Sequence, residues 1–209
     1  MPIQFTNTGA GKQIQWLNSG RSGKLDLIVK PPPPAPITYT IGQSALGGTV
    51  AYILQPADPG YDANTQHGLV VTSDNTALSV NWANIDSYCG TNLVGGTSTA
   101  IGTGAANTAI IASTCVGITA ASRCIAVTDG GYSDWYLPSR DELNAINSSL
   151  GLPSGFNFVS GRYYWTSSEY SSTSVWLTQW NGPNGGFWSG GKWGSGTITA
   201  YALRAVRSF

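Results

Sequence analysis

A proline run near the start divides the chain into a short and a long part. Pro31 to Pro34 are consecutive, and Ala35 and Pro36 continue the run. Because proline fixes φ near −65° and lacks a backbone N–H, such a run adopts an extended polyproline conformation of roughly 3 Å per residue. We therefore predict an N-terminal segment over residues 1–30, a semi-rigid linker over residues 31–36 and one domain over residues 37–209.

The N-terminal segment alternates apolar and polar residues between glycine-rich turns. This pattern predicts three short strands, at residues 3–6, 13–17 and 25–29. A sheet of about 30 residues buries too little apolar area to be stable alone. We therefore expect residues 1–30 to bind virion or filament subunits. The alternatives are a flexible leader and a hairpin docked on its own domain.

The long domain is predicted to be α+β, with helices in its middle and strands towards its end. A first helical stretch covers residues 107–115 and extends over residues 120–127 beyond a break at Gly117. The second helix begins with the capping box Ser139-Arg140-Asp141-Glu142 and is closed by Gly151. Strands are predicted at residues 48–54, 68–72, 163–167, 175–180, 186–188 and 200–207.

Charge is unusually scarce in this chain. Charged residues make up 10% of the sequence, against about a quarter in average proteins, and the formal net charge is zero. Without a positive field, nucleic acid is not an expected partner. No apolar run suggests membrane insertion, and the first six residues lack the pattern of a secretory signal. A location at the virion surface or outside the cell is expected, reached for example through a particle released on lysis; the alternative is that the chain stays inside the cell.

Three segments carry a family resemblance, and they occur in the family's order. They are Gly131-Tyr-Ser-Asp-Trp-Tyr-Leu-Pro-Ser-Arg-Asp-Glu-Leu143, Tyr164-Trp-Thr-Ser-Ser-Glu-Tyr170 and Val206-Arg-Ser-Phe209. Together with glycine-rich pieces upstream, they resemble the domain at the C-terminus of Legionella collagen-like adhesins. The resemblance covers roughly residues 41–209. It implies a C-type-lectin-like fold, here with two helices and antiparallel strands, which occurs in adhesins, other bacterial surface proteins and phage proteins.

The residues do not favour an enzyme. His67 is the single histidine, and no Gly-x-Ser-x-Gly motif occurs. Asp134 and Glu169 could form an acid–base pair, but we expect each to form a buried ion pair that fixes the fold. For Glu169 the expected partner is Arg204 or Arg207. Formylglycine-generating enzymes, which are related to this fold, bind copper through a pair of cysteines near the C-terminus, whereas no cysteine follows Cys124 here.

No metal site or cofactor is expected. Lectins of this fold bind sugar through calcium with a Trp-Asn-Asp strand, but Gly182 follows Trp180-Asn181 here. A structural calcium elsewhere is left open. The three cysteines allow one disulfide, either between Cys115 and Cys124 or between Cys89 and one of these two.

Aromatic residues between positions 170 and 193 are interleaved with Gly, Ser, Asn and Thr, a composition typical of protein recognition and of sugar stacking. Alternation puts Trp176 and Trp180 on one face of a strand, and the resemblance implies that both fill the core. The alternative is that most of these aromatic residues pack the domain. The predicted ligand-binding residues are Tyr170, Gln179, Asn181, Asn184, Phe187, Trp188 and Trp193.

These features together predict a non-enzymatic recognition module of a phage virion or a cell surface. Its expected ligand is a host glycan or a host surface protein, bound through the aromatic, glycine-rich C-terminal face. We expect a homo-oligomer, because repeated copies give avidity to weak sites. The alternatives are a capsid-decorating or filament subunit without external ligand and, less favoured, an enzyme that acts on polysaccharide.

Overall fold

The computed structural model describes residues 14–18, 25–29, 36–74, 80–84, 87–150, 158–180, 186–193 and 201–209. The chain divides into two compact units, Met1–Ile37 and Thr38–Phe209. Among the described residues no helix is long and apolar enough to cross a membrane. The predicted strand at residues 3–6 and the proline run at 31–34 lie outside the described residues.

The first unit contains one antiparallel strand pair. Strand β1 (Ile14–Asn18) pairs with β2 (Leu25–Val29), and Ile14 lies opposite Val29. These two strands confirm two of the three predicted from alternation.

The second unit is a mixed α+β domain with two antiparallel sheets and four helices in its described part. Its elements follow in chain order: β3 (Ser44–Ala45), β4 (Gly48–Ile53), β5 (Gly68–Val71), α1 (Tyr88–Thr91), α2 (Gly104–Thr114), α3 (Ala120–Ile125), α4 (Arg140–Leu150), β6 (Tyr163–Glu169), β7 (Ser174–Gln179), β8 (Phe187–Gly191) and β9 (Val206–Ser208). The four-stranded sheet has the order β3-β4-β5-β9, and the three-stranded sheet has the order β6-β7-β8.

The four-stranded sheet is covered on both faces. Every residue of β5 is buried, although alternate side chains point to opposite sides of a strand. Val70 belongs to a core cluster with Trp82, Trp135 and Trp165. Leu69 and Val71 belong to a second cluster, which includes Leu143 and Ile146 of α4 together with Tyr164 and Trp180. The strand is therefore apolar throughout rather than alternating.

Two predictions about the elements were wrong. The number of helices is four rather than two. The first predicted stretch forms α2 and α3, which are separated at the predicted break, Gly117 (φ +91°), and the short α1 was not predicted. Of the predicted strand at 200–207, only residues 206–207 form a strand, as part of β9 (Val206–Ser208). Ala202 instead forms a parallel bridge to Tyr164 of β6, because the chain crosses here from one sheet to the other.

Arginine side chains fix the path of this crossing segment. Buried Arg204 donates hydrogen bonds to the main-chain oxygens of Thr72 and Ser73. Arg207 donates from Nε to Asp134 Oδ1 at 2.8 Å and from Nη2 to Asp134 Oδ2 at 2.9 Å, and its guanidinium lies 3.8 Å from the centre of the Tyr132 ring. The Asp134 ion pair is partly exposed rather than buried, since 56% of the Asp134 side chain is accessible.

The Asp134–Arg207 pair predicts a small pH effect on stability. The hydrogen bonds that Arg207 donates to Asp134 lower the pKa of Asp134 below its ordinary value of 3.8. A lowered folded-state pKa contributes stability above the unfolded pKa, and this contribution is lost as pH falls through the folded pKa. We expect Asp134→Asn to cost about 0.5–1 kcal/mol at pH 7, because the pair is partly exposed. Urea unfolding of the parent and of Asp134→Asn at pH 7 and below about pH 4 checks this prediction. The difference between their free energies of unfolding should be smaller at the lower pH.

Candidate functional site

The capping box places the start of α4 against the three-stranded sheet. The Glu142 main-chain N–H donates to Ser139 Oγ at 3.2 Å, and the Ser139 N–H donates to Glu142 Oε2 at 2.8 Å. The predicted capping box is thereby confirmed. Burial raises the pKa of Glu142, although backbone N–H groups of Ser139, Gly102 and Gly104 bond its carboxylate and act in the opposite direction. The carboxylate thus also holds the loop before α2.

Two hydrogen bonds join this helix start to β6. The Ser167 N–H donates to the Pro138 carbonyl at 2.8 Å, and the Arg140 N–H donates to Ser168 Oγ at 3.0 Å. The first residue of α4, Arg140, is consequently held beside the sheet. Its long side chain can reach across the exposed surface of β7 and β8.

Arg140 and three aromatic side chains form a surface cluster, which we call the aromatic patch: Arg140, Tyr170, Trp176 and Phe187. The Arg140 guanidinium lies 5.0 Å from the centre of the Trp176 ring and 4.8 Å from that of Phe187. Trp176 packs edge-on against Tyr170, with centroids 4.8 Å apart, and against Phe187 at 6.2 Å. Tyr170 is 57% exposed and Phe187 is 40% exposed.

Strand pairing explains why Trp176 and Phe187 meet. Thr178 lies opposite Phe187 and Trp176 lies opposite Ser189, so these four side chains share one face of the sheet. Trp180 is buried in the core as the resemblance implied. The implied core position of Trp176 was wrong, because this side chain is half-buried and packs in the patch instead.

Trp188 points away from the patch. It lies opposite Leu177, on the other face of the sheet from Phe187, because neighbouring residues of a strand alternate. Its ring is 52% exposed and stands edge-on to Tyr163 at 6.0 Å. Gln179 lies opposite Tyr163 and shares this second face.

The structure therefore divides the seven predicted ligand-binding residues. Tyr170 and Phe187 belong to the patch, while Gln179 and Trp188 lie on the opposite face. Trp193 is half-buried just after β8. Asn181 and Asn184 lie outside the described residues. Sequence reasoning missed Trp176, which it assigned to the core, and Arg140, which it treated only as part of a helix cap.

A buried ion pair lies next to the patch residue Tyr170. Lys192 Nζ is 2.6 Å from Glu169 Oε1, and both side chains are almost completely inaccessible. The predicted partner of Glu169, Arg204 or Arg207, was therefore wrong. The Glu169 carboxylate also accepts hydrogen bonds from the N–H groups of Val94 and Gly95, both at 2.8 Å.

Neither acid considered for catalysis is unpaired: Asp134 bonds Arg207 and Glu169 bonds Lys192. Among the residues that the structure describes, no group of three His, Cys, Asp or Glu side chains could hold a metal ion. The groups that the described site presents to a ligand are aromatic rings and one arginine–aspartate pair, Arg140 with Asp141 at 2.7 Å.

No protein-family model matches this chain, and no curated protein matches it.

Proposed function

We propose that the chain is a non-enzymatic recognition module with a C-type-lectin-like domain that binds a glycan through the aromatic patch. The patch itself carries the proposal. Partly exposed rings of Tyr170 and Phe187 offer flat apolar faces for the C–H side of a sugar, and burial of aromatic surface is a main source of binding energy. Arg140 and Asp141 at its edge supply planar donors and acceptors for hydroxyl groups.

The contacts among the three segments that carry the family resemblance support the fold assignment. The Ser167–Pro138 hydrogen bond joins the second segment to the first. The Asp134–Arg207 pair joins the first to the third, and Tyr136 bridges to Val206. Segments that are distant in sequence but share a family pattern are thus in direct contact, as expected if they form the common framework of one fold.

The proposed setting is a virion or a cell surface, with the N-terminal unit as the attachment to other subunits. The neutral, weakly charged composition supports a role in recognition rather than in binding phosphates. A homo-oligomer would present several patches at once, and avidity would then compensate for a small site.

A binding screen tests the proposed function. The full chain is applied to an array of bacterial and animal oligosaccharides and to intact bacterial cells, with and without EDTA. We expect binding that EDTA does not abolish, and we expect the Tyr170→Ala/Phe187→Ala variant to lose at least about tenfold in affinity, the effect of removing roughly 1.4 kcal/mol of stacking.

Trp188→Ala is the matched control, because Trp188 is equally aromatic and exposed, adjacent to Phe187 in sequence, and on the opposite face of the sheet. Its affinity should stay within about twofold of the parent, well below a 1.4 kcal/mol effect. An equal loss in both variants would refute the patch as the binding site. A complete absence of binding by folded protein would favour the alternative, a structural virion or filament subunit.

A further inference from the structure

A pocket of about 370 Å³ lies between the end of β4, the start of α2 and strand β9. None of its lining residues belongs to the aromatic patch, and none carries a charged side chain. Its volume falls at the lower end of the range of about 300–1,000 Å³ that is typical of small-molecule sites. The pocket is therefore a second candidate site, suited to a ligand of one or two rings.

The walls of this pocket are mostly apolar. Leu54, Ile101, Ala105 and the ring of Phe209 line it. The Phe209 ring is held edge-on against Tyr39, with centroids 5.2 Å apart. A fixed aromatic ring in an apolar wall favours a flat aromatic ligand, which gains an edge-to-face contact in addition to burial. The lining side chains supply no carboxylate or ammonium group that could pair with a charged ligand.

One polar group at the pocket, His67, offers a hydrogen-bond acceptor. His67 Nδ1 lies 3.0 Å from the main-chain oxygen of Phe209. Because that oxygen can only accept, Nδ1 carries the proton, and Nε2 of the neutral ring has a lone pair. The Tyr136 hydroxyl lies 3.5 Å from Glu142 Oε1 and also forms a hydrogen bond with the Ser208 side chain, so its oxygen is already engaged within the protein. Burial and the Glu142 charge raise the pKa of Tyr136, so the hydroxyl stays protonated.

We propose that this pocket binds a small uncharged aromatic molecule that carries an N–H or O–H donor, of the chemical class of indole and phenol. The apolar walls take the ring, and the ligand's donor bonds Nε2 of His67. This site is separate from the glycan-binding role of the aromatic patch, and each can fail without the other.

The single histidine of the chain provides a direct measurement. Because His67 is the only histidine, its imidazole gives one set of NMR signals in protein labelled on histidine. Indole is titrated into the full chain, and the His67 signals should shift in a saturable manner. N-methylindole, which has the same rings but no donor, should bind at least about tenfold more weakly, because a buried acceptor then remains unpaired.

A matched pair of variants tests the location. Ala105→Phe places a ring in the pocket from an exposed position of α2 and should abolish the indole-induced shift. Ala106→Phe adds the same ring at the neighbouring exposed position, which does not line the pocket, and should leave binding unchanged. Thermal unfolding verifies that both variants are folded. The absence of a saturable shift with indole, unchanged binding in Ala105→Phe, or equal binding of indole and N-methylindole would overturn the proposal.

Discussion

Replacing Lys192 with methionine should lower the free energy of unfolding by about 3–5 kcal/mol, the typical cost of breaking a buried ion pair. The variant leaves the Glu169 carboxylate buried without its cation, and it removes the donor to the Asn92 carbonyl, which Lys192 Nζ contacts at 2.7 Å. Urea unfolding measures the loss as a lower midpoint at an unchanged m-value. A loss below about 1 kcal/mol, the range of exposed pairs, would contradict this prediction.

A double variant separates the ion pair from the other contacts of these side chains. If the two charges stabilise each other, Lys192→Met/Glu169→Gln should cost about 1–3 kcal/mol less than the sum of the two single variants. Asp141→Asn is the control, because it removes one partner of the partly exposed Arg140–Asp141 pair. This control should cost about 1 kcal/mol or less.

The buried pair also matters for the proposed site. Through Glu169 and Lys192, the loop that contains Asn92, Val94 and Gly95 is tied to β6 and to the end of β8. Tyr170 of the aromatic patch directly follows Glu169. This buried, hydrogen-bonded ion pair supports the exposed Tyr170 ring from behind, and such rigid support keeps a binding surface in place.

Local signals in the sequence predicted the elements well. The Ser139–Glu142 capping box marks the start of α4 because both of its hydrogen bonds form within four residues. Alternation identified β1, β2 and β7 because successive side chains of a strand point to opposite faces, which gives a period of two. Gly117 was recognised as a break because its positive φ is readily adopted only by glycine.

Contacts between distant segments could not be predicted. Glu169 was expected to pair with Arg204 or Arg207 because the strand that it ends was placed near them, whereas Lys192 lies in a glycine-rich stretch without a recognisable signal. The partner depends on how β6, β7 and β8 pair, and a sequence does not show strand register. The crossing of residues 201–205 between the two sheets was not predicted, for the same reason.

In the candidate site, too, local sequence signals were informative, whereas contacts between distant segments were not predicted. Composition drew attention to the aromatic residues between 170 and 193, but the prediction treated Phe187 and Trp188 as one surface. Both residues lie in the predicted strand at 186–188, and neighbouring residues of a strand point to opposite faces, so alternation would already have separated them. Arg140 joined the site only through the packing of α4 on the sheet, which leaves no local trace in the sequence.

The sequence did not determine which cysteines form a disulfide, because three thiols allow several pairings. In the structure Cys89 of α1 bonds Cys115 at the end of α2, with Cα atoms 5.6 Å apart, and Cys124 is free and buried. Burial raises the pKa of the Cys124 thiol far above its ordinary value, so this residue stays protonated and unreactive. The disulfide is of the kind that persists in oxidising surroundings, which agrees with the proposed location outside the cell.

Replacing both Cys89 and Cys115 with alanine should cost about 3 kcal/mol, because the bond closes a loop of 26 residues and restricts the unfolded chain. Thermal unfolding with and without dithiothreitol checks this prediction. Reductant should lower the Tm of the parent to nearly that of the double variant, whose own Tm should not change. Cys124→Ala is the control: its Tm should still fall on reduction, since it retains the disulfide. A parent Tm that does not respond to complete reduction, or peptide mapping that finds Cys124 bonded, would refute this pairing.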